Sequence, residues 1–305
     1  MTPEQIFSGR ELARNDLYFF ARWMFLRNRK YRWIRGDHHK QICDALMKVY
    51  RGETKRLIIN IPPRYSKTEL AVKCFIAWTL GHHPDSEYIH TSYGATLAEN
   101  NSMDVREMIA SEEYRAIFPK TVLLTEKVSN WKTTAGGTLY STGSMGGVTG
   151  FGAGKHRPGF SGAIIIDDPL KADEALSDTV RAKVNNWFQN TLESRKNSRD
   201  TPIILIMQRL HEDDLAGWLL NGGNGEKWEH LCIPAINPDG TALWPEKHTI
   251  EELRRMEASA PYVFAGQYMQ NPAPLDGGIF KPGKIEIIDA LPAENIQWVR
   301  GWDLA

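Results

Sequence analysis

Residues 57–70 read "LIINIPPRYSKTEL". An isoleucine-rich run ends at Pro62 and Pro63, and Lys67 and Thr68 stand directly before a helical pattern. Apolar runs of this kind form strands buried on both faces of a parallel sheet. Beyond the loop, Leu70, Cys74 and Trp78, joined by Ala71 and Phe75, recur at helical spacing until Gly81 and Pro84 stop the helix. Strand, tight turn, Lys-Thr and helix, in that order, make a phosphate-binding loop. Such a loop needs inward backbone N–H groups, a lysine for the β- and γ-phosphates and a hydroxyl for Mg2+. Two features depart from the common pattern. Ser66 takes the place of a glycine, which works if its backbone angles are unexceptional, and Arg64 lies inside the turn. Pro62 and Pro63 can pre-set the turn instead. An exposed Lys-Thr turn is the alternative for this segment alone.

The pattern repeats outward from the loop. "YIHTS" (88–92), "AIIID" (163–167) and "PIILIMQ" (202–208) read as strands. Helical patterns cover 10–26, 38–50, 95–110, 177–196, 213–221 and 250–260, and Pro261 opens another short helix. Residues 136–154 are glycine-rich. Strands alternating with helices predict an α/β fold with a mainly parallel central sheet flanked by helices, its crossovers right-handed.

The second chemical element is "AIIIDDP", an apolar strand ending in Asp167 and Asp168. In phosphate-loop ATPases the first carboxylate of such a pair holds the Mg2+ shell and the next acidic residue polarises the attacking water. An Asp-Asp-Pro turn capping the next segment is the alternative. The third element is "PIILIMQRLHEDDLAG", where Gln208 and Arg209 stand at a strand tip, as ligand-binding residues do in open α/β sheets. Gln208 is expected to sense the γ-phosphate, and Arg209 has a simpler reading as the ion-pair partner of Asp213 or Asp214.

The bulk composition adds limits. The chain has 305 residues, 42% of them hydrophobic, with Lys+Arg and Asp+Glu both at 37. Average charge therefore names no partner, and a nucleic-acid surface has to be local, as in "RNRKYRWIRGDHHK" (27–40), which otherwise reads as a solvated segment. Cys43, Cys74 and Cys232 are too widely spaced for a zinc site or a disulfide framework. No apolar signal core, membrane-length apolar run or internal repeat stands out.

Taken together, these stretches resemble the large terminase subunit of tailed bacteriophages, across nearly the whole chain. "IPPRYSKTELAVKCFIAW" is similar to the family's loop, "IIIDDPLK" to its Walker B element and "MQRLHEDDLAG" to its coupling motif. "YIHTSYGATLAENNSMDVREMI" and "STGSMGGVTGFGAG" are similar to the units between them. The resemblance implies a P-loop ATPase with a small lid subdomain. It also implies that ATP hydrolysis drives double-stranded DNA into a procapsid, in the cytoplasm of an infected bacterial host and away from membranes. Portal protein, the small terminase subunit and a homo-oligomeric ring are the implied partners, with a monomer expected in isolation.

For the site, the resemblance implies that residues 63–68, including Pro63, Arg64, Tyr65 and Ser66, together with Lys67, hold the phosphates, and that Glu69 borders them. Thr68 and Asp167 are expected to organise Mg2+. Asp168 is the expected catalytic acid, one methylene shorter than the glutamate of related motors, with Glu174 as a fallback. Arg157 is the candidate arginine offered to a neighbouring subunit, or else a plain basic turn. Gln41, with His39 next, is the expected adenine contact. The expected divisions are a helical segment at 1–50, an ATPase core at 51–221, a lid portion at 222–275, and at 276–305 a linker plus the first strand of a ribonuclease-H-like nuclease domain. In that strand Asp303, within "VRGWDLA", would be an incomplete nuclease metal ligand. Two other functions fit the same motifs: a helicase-like nucleic-acid-dependent ATPase, and a nucleotide-binding assembly module without robust turnover.

Overall fold

The computed structural model describes residues 1–124 and 129–272. These belong to one compact unit, Met1–Ala273. The expected linker, its following strands and Asp303 lie outside the described residues. Two helices open the chain, α1 (Pro3–Asn15) and α2 (Leu17–Arg29), followed by α3 (Asp37–Tyr50). Asp16 divides the helical pattern expected over 10–26. Its backbone is extended and its side chain caps α2 by accepting from the Phe19 N–H, as a short carboxylate does at an N-cap.

Strand β1 (Arg56–Asn60) leads into the loop. A π-helical turn, Glu69–Cys74, then runs directly into α4 (Phe75–His82). Strand β2 (Glu87–Ser92), α5 (Ala95–Ala110) and α6 (Glu112–Ile117) come next, then β3 (Asn130–Lys132), β4 (Thr138–Gly143) and β5 (Ile164–Asp167). The long helix expected over 177–196 is α7 (Asp178–Trp187) continued by a π turn to Leu192 and a 3-10 turn to Arg195. Strand β6 (Ile203–Met207), α8 (Leu215–Leu220), β7 (Glu229–Cys232), α9 (Ile250–Ser259) and α10 (Pro261–Val263) complete the described order. No helix among them is long and apolar enough to cross a membrane.

The seven strands form one sheet in the order β3-β4-β2-β5-β6-β1-β7. All neighbours are parallel except β3 and β4. Strands β1, β5 and β6 are buried along their whole length, because helices cover both faces of a parallel sheet. One apolar layer joins α1 to α4 with one face, and a second joins α7 and α8 with the other. Strand β7 lies beyond the expected core boundary at 221, yet it pairs in parallel with β1 and extends the same sheet. Asn60 ties this region across three strands. Its Nδ2 donates to the Met207 carbonyl at 3.0 Å, and its Oδ1 lies 2.8 Å from His230 Nε2.

The helices of the first fifty residues are built into this core as well. Glu113 on α6 receives Arg10 twice at 3.0 Å, the Trp23 indole N–H at 2.8 Å and Arg27 at 3.3 Å. A largely buried carboxylate with this many donors is well satisfied, and it clamps α1 and α2 to α6. The start of β5 is set by Gly162, where φ is +124° and a Cβ would stand 1.9 Å from the Glu87 carbonyl oxygen.

Candidate active site

The register of the parallel sheet brings three strand ends level. Asn60 pairs with Met207, and Asp167 pairs with Ile206. Strand β6 therefore separates the loop strand β1 from the acidic strand β5, and the residues after all three strands meet at their carboxyl ends. This is where open α/β sheets bind ligands.

Lys67 and Asp168 meet there, Nζ to Oδ2, at 2.8 Å. Gln208 Oε1 lies 3.4 Å from the same ammonium. Asp168 is fixed by its own backbone, with φ +43°, and by Oδ1, which accepts the Gln208 backbone N–H at 3.2 Å. Beside this pair, Thr68 Oγ1 donates to Asp167 Oδ2 at 2.7 Å. Asp167 Oδ1 is buried without a hydrogen-bond partner. Burial raises the Asp167 carboxyl's pKa, the Asp168 charge adds to that, and Lys67 opposes it. A buried, half-satisfied carboxylate oxygen beside a threonine hydroxyl is a position that a divalent cation would complete. Among the described residues no group of three His, Cys, Asp or Glu side chains could hold a metal by itself.

The loop is more strained than its sequence implies. Arg64 and Ser66 both have φ +66°, in the left-handed region, where a non-glycine residue costs about 1–2 kcal/mol. The expectation of unexceptional Ser66 angles is therefore corrected. Ser66 carries the conformation of the glycine it replaces. Arg64 is exposed and forms no hydrogen bond or ion pair among the described residues, so its guanidinium is available to a ligand. Tyr65, by contrast, is fully buried. Its hydroxyl lies 3.0 Å from His248 Nδ1, which makes it an anchor of the loop and leaves it no face toward a phosphate. Pro63 is half-buried in the turn, and Glu69 lies 3.3 Å from Lys73 on the first π turn.

Other expected residues are placed elsewhere. The Arg209 guanidinium is given to Asp214, with Nε 3.0 Å from both carboxylate oxygens. Its Nη2 donates to the carbonyls of His211 and Glu212. The ion-pair alternative is the observed one, and Arg209 does not reach its own chain's loop. The physical reason is Asp214, which caps α8 through Gly217 N–H and needs a cation in its burial. Arg157 pairs with Asp85 at 2.8 and 3.0 Å. Asp85 precedes β2, so this pair lies at the amino ends of the strands, opposite the loop. Glu174 is exposed and 3.9 Å from Lys171, with no contact to Lys67 or Thr68.

Gln41 is exposed on α3, whereas His39, two residues earlier, is fully buried and lies 3.1 Å from Ser66 Oγ. A cavity of about 340 Å³ opens beside that contact. Phe25, Tyr31, Trp33, Ile34 and Trp244 line it, with Ser66 and Glu69 at its border. Nothing in the sequence marks Trp33 and Trp244 as neighbours of the loop. Trp33 sits among arginines in a run read as solvated, and Trp244 is far from the loop in sequence.

No family model and no curated protein matches this chain in sequence. Solved structures match it in fold. The large terminase ATPase domain of Thermus phage P74-26 is 15% identical, and the match covers 79% of this chain and 100% of that one with a TM-score of 0.52. The large terminase of bacteriophage HK97 is 13% identical over 76% of this chain and 50% of its own, with a TM-score of 0.47. A large terminase from a thermophilic bacteriophage, in complex with ADP, is 11% identical over 73% of this chain and 52% of its own, with a TM-score of 0.46. The match therefore spans the whole isolated P74-26 domain and about half of the two longer chains. The chain has the fold of a bacteriophage large terminase ATPase domain.

Proposed function

We propose that this chain is a Mg2+-dependent ATPase whose hydrolysis drives viral DNA packaging. The observation that carries the ATPase reading is the cluster of Lys67, Asp168, Gln208, Thr68 and Asp167 at three adjacent strand ends. The packaging role is supported by the fold shared with a phage large terminase ATPase domain.

In this reading the backbone N–H groups of 63–68 surround the phosphates, and Lys67 leaves Asp168 for the β- and γ-phosphate oxygens. The freed Asp168 carboxylate, already aimed by the Gln208 N–H, orients the attacking water and accepts its proton. Arg64 adds a guanidinium to the charge that builds on the transferred phosphoryl group. Thr68 Oγ1 and Asp167 would hold Mg2+, which would neutralise phosphate charge when bound. The aromatic cavity between Trp33 and Trp244 takes the base by stacking, in place of the Gln41 contact. Gln208 lies next to Lys67, and through the Arg209 backbone, held by Gln270 at 3.0 Å, it links the phosphate end of the site to the residues that follow β7, up to 272. That link is the path by which hydrolysis moves the smaller portion of the domain. Contact with double-stranded DNA is mainly to phosphates and independent of sequence. The exposed arginines and lysines of 29–40 are the local basic surface. Portal protein, the small terminase subunit and a ring of like chains on the procapsid complete the proposed setting, in the infected bacterial cytoplasm.

The test is steady-state ATP hydrolysis with Mg2+ at several protein concentrations, beside Lys67→Ala and Asp168→Asn. Both substitutions are expected to lower kcat by about a hundredfold or more, as loss of a main electrostatic or water-orienting group does. A rate per chain that rises with concentration supports an arginine supplied by a neighbour. Wild-type protein that neither binds nor hydrolyses ATP overturns the reading. Binding without turnover favours the assembly-module function, and strand separation favours the helicase-like one.

A further inference from the structure

His39 stands near the amino end of α3, and its ring orientation is set by the chain around it. Nδ1 accepts the backbone N–H of Gly36 at 3.0 Å, so in the neutral ring the proton resides on Nε2. Nε2 lies 3.1 Å from Ser66 Oγ and is therefore the donor in that contact. The ring is fully buried against His38, Trp33 and Trp244. Burial, and then the neighbouring His38, lower its pKa to about 3, which keeps it neutral and keeps the donor role fixed. Ser66 is the residue at φ +66° in the glycine position of the loop. Its hydroxyl accepts from His39 and has no acceptor of its own among the described residues, so the hydroxyl proton is left for a ligand.

We propose that His39 is a positioning residue of the phosphate loop. It holds Ser66 in the left-handed conformation and turns the Ser66 hydroxyl proton toward a phosphate oxygen of a nucleoside di- or triphosphate. The pair does with two side chains what a loop glycine does with none, and it adds one donor to the site. This proposal rests on the phosphate-loop reading above. It goes beyond that reading in assigning a histidine outside the loop to the loop's geometry.

The experiment is calorimetric titration of the full chain with ATPγS and Mg2+, together with KM and kcat for ATP. The proteins are wild type, Lys67→Ala, His39→Ala, His39→Gln, Ser66→Ala, Ser66→Gly and the His39→Ala/Ser66→Gly double variant. His39→Ala is expected to weaken binding about tenfold, the size of one well-placed hydrogen bond to a charged acceptor such as a phosphate oxygen, with KM affected more than kcat. His39→Gln is expected to recover most of the loss, because its amide oxygen can accept from Gly36 and its NH2 can donate to Ser66. In the Ser66→Gly background the His39→Ala change is expected to add nothing, since glycine takes the left-handed conformation unaided and carries no hydroxyl to direct. An equal loss in both backgrounds means that His39 acts by packing alone and overturns the proposal, as does wild-type affinity in His39→Ala. If His39→Ala does not fold, Ser66→Ala decides. It keeps the backbone demand, loses the hydroxyl and is expected to bind about tenfold more weakly; wild-type affinity there overturns the proposal. Lys67→Ala separates the two readings. Undiminished binding in that variant removes the phosphate loop and this proposal together, whereas lost binding there with unchanged His39→Ala removes this proposal only.

Discussion

Arg64 and Ser66 share one backbone conformation in the loop and differ in what supports it. Ser66 has His39 behind it, while Arg64 is exposed and unpartnered among the described residues. A strained residue kept without structural compensation points to a ligand-facing role. Arg64→Gly is expected to stabilise the nucleotide-free chain by about 1 kcal/mol, or about 2 °C in Tm for a chain of this length, and to lower kcat. Thermal unfolding and ATP turnover on the same preparation check both halves. A drop in Tm, or unchanged turnover, would remove Arg64 from the proposed phosphate contacts. The acidic pair follows a similar division. Asp167 is buried and its pKa is raised, whereas Asp168 is partly open and compensated by Lys67. The charge of Lys67 is what nucleotide phosphates would compete for.

The tip of β6 and the start of α8 act as one element through Arg209 and Asp214. The Asp214 side chain is fully buried. It accepts from Arg209, from the N–H groups of Leu210 and His211, and from the first turn of α8. A buried pair of this kind is weak evidence for net stability, but removing one member leaves an uncompensated charge. Asp214→Ala is expected to cost about 3–5 kcal/mol, read as a lower denaturant midpoint, while Asp214→Asn, which can still cap α8, is expected to lose less. Equal midpoints for Asp214→Ala and wild type would mean that the pair does not organise this corner. Thr249 and Glu252 form a capping box at the start of α9. The helix over 177–196 starts at the Ser177 cap, and its last turns are π and 3-10 in geometry, with Phe188 and Leu192 buried.

At the level of the whole molecule, three fully buried histidines tie stability to pH. His38, His39 and His90 have no exposed surface. Burial lowers their pKa values to about 4, about 3 and about 4, His39 with help from the adjacent His38. The ordinary histidine value is 6.5. Between that value and the folded ones the unfolded chain binds more protons than the folded chain, so stability falls as pH is lowered through this window. Each histidine contributes a slope approaching about 1.4 kcal/mol per pH unit. Denaturant unfolding between pH 7 and pH 4 is expected to show a steep loss that begins near pH 6.5. A flat profile there would mean that these rings become protonated without unfolding. His90→Gln is expected to shallow the slope, because the ring lies between the Ile165 carbonyl and Asn101 and an amide can meet the same partners without titrating.

Local chemistry was enough to read the alternation of strands and helices, the Lys67–Thr68 loop and the Asp167–Asp168 strand end. Each rests on residues close in sequence: an apolar run, a turn, and the polar residues that follow it. The short strand β4 inside a glycine-rich stretch and the edge strand β7 with exposed Glu229, His230 and Cys232 lack an apolar run of their own. They are strands because β2 and β1 offer them hydrogen-bonding edges. The same distinction governs the site. Sequence assigned Lys67, Thr68, Asp167, Asp168 and Gln208, which the strand ends bring together. The chain itself offered Arg209 both Asp213 and Asp214, and the structure pairs it with Asp214; only packing could give Arg157 to Asp85 and His39 to Ser66, since a charged or polar side chain takes whichever partner its burial makes available. What a strand end carries is written along the chain; which side chain answers it depends on contacts between residues far apart in sequence, and those exist only once the sheet and its two helical layers have closed.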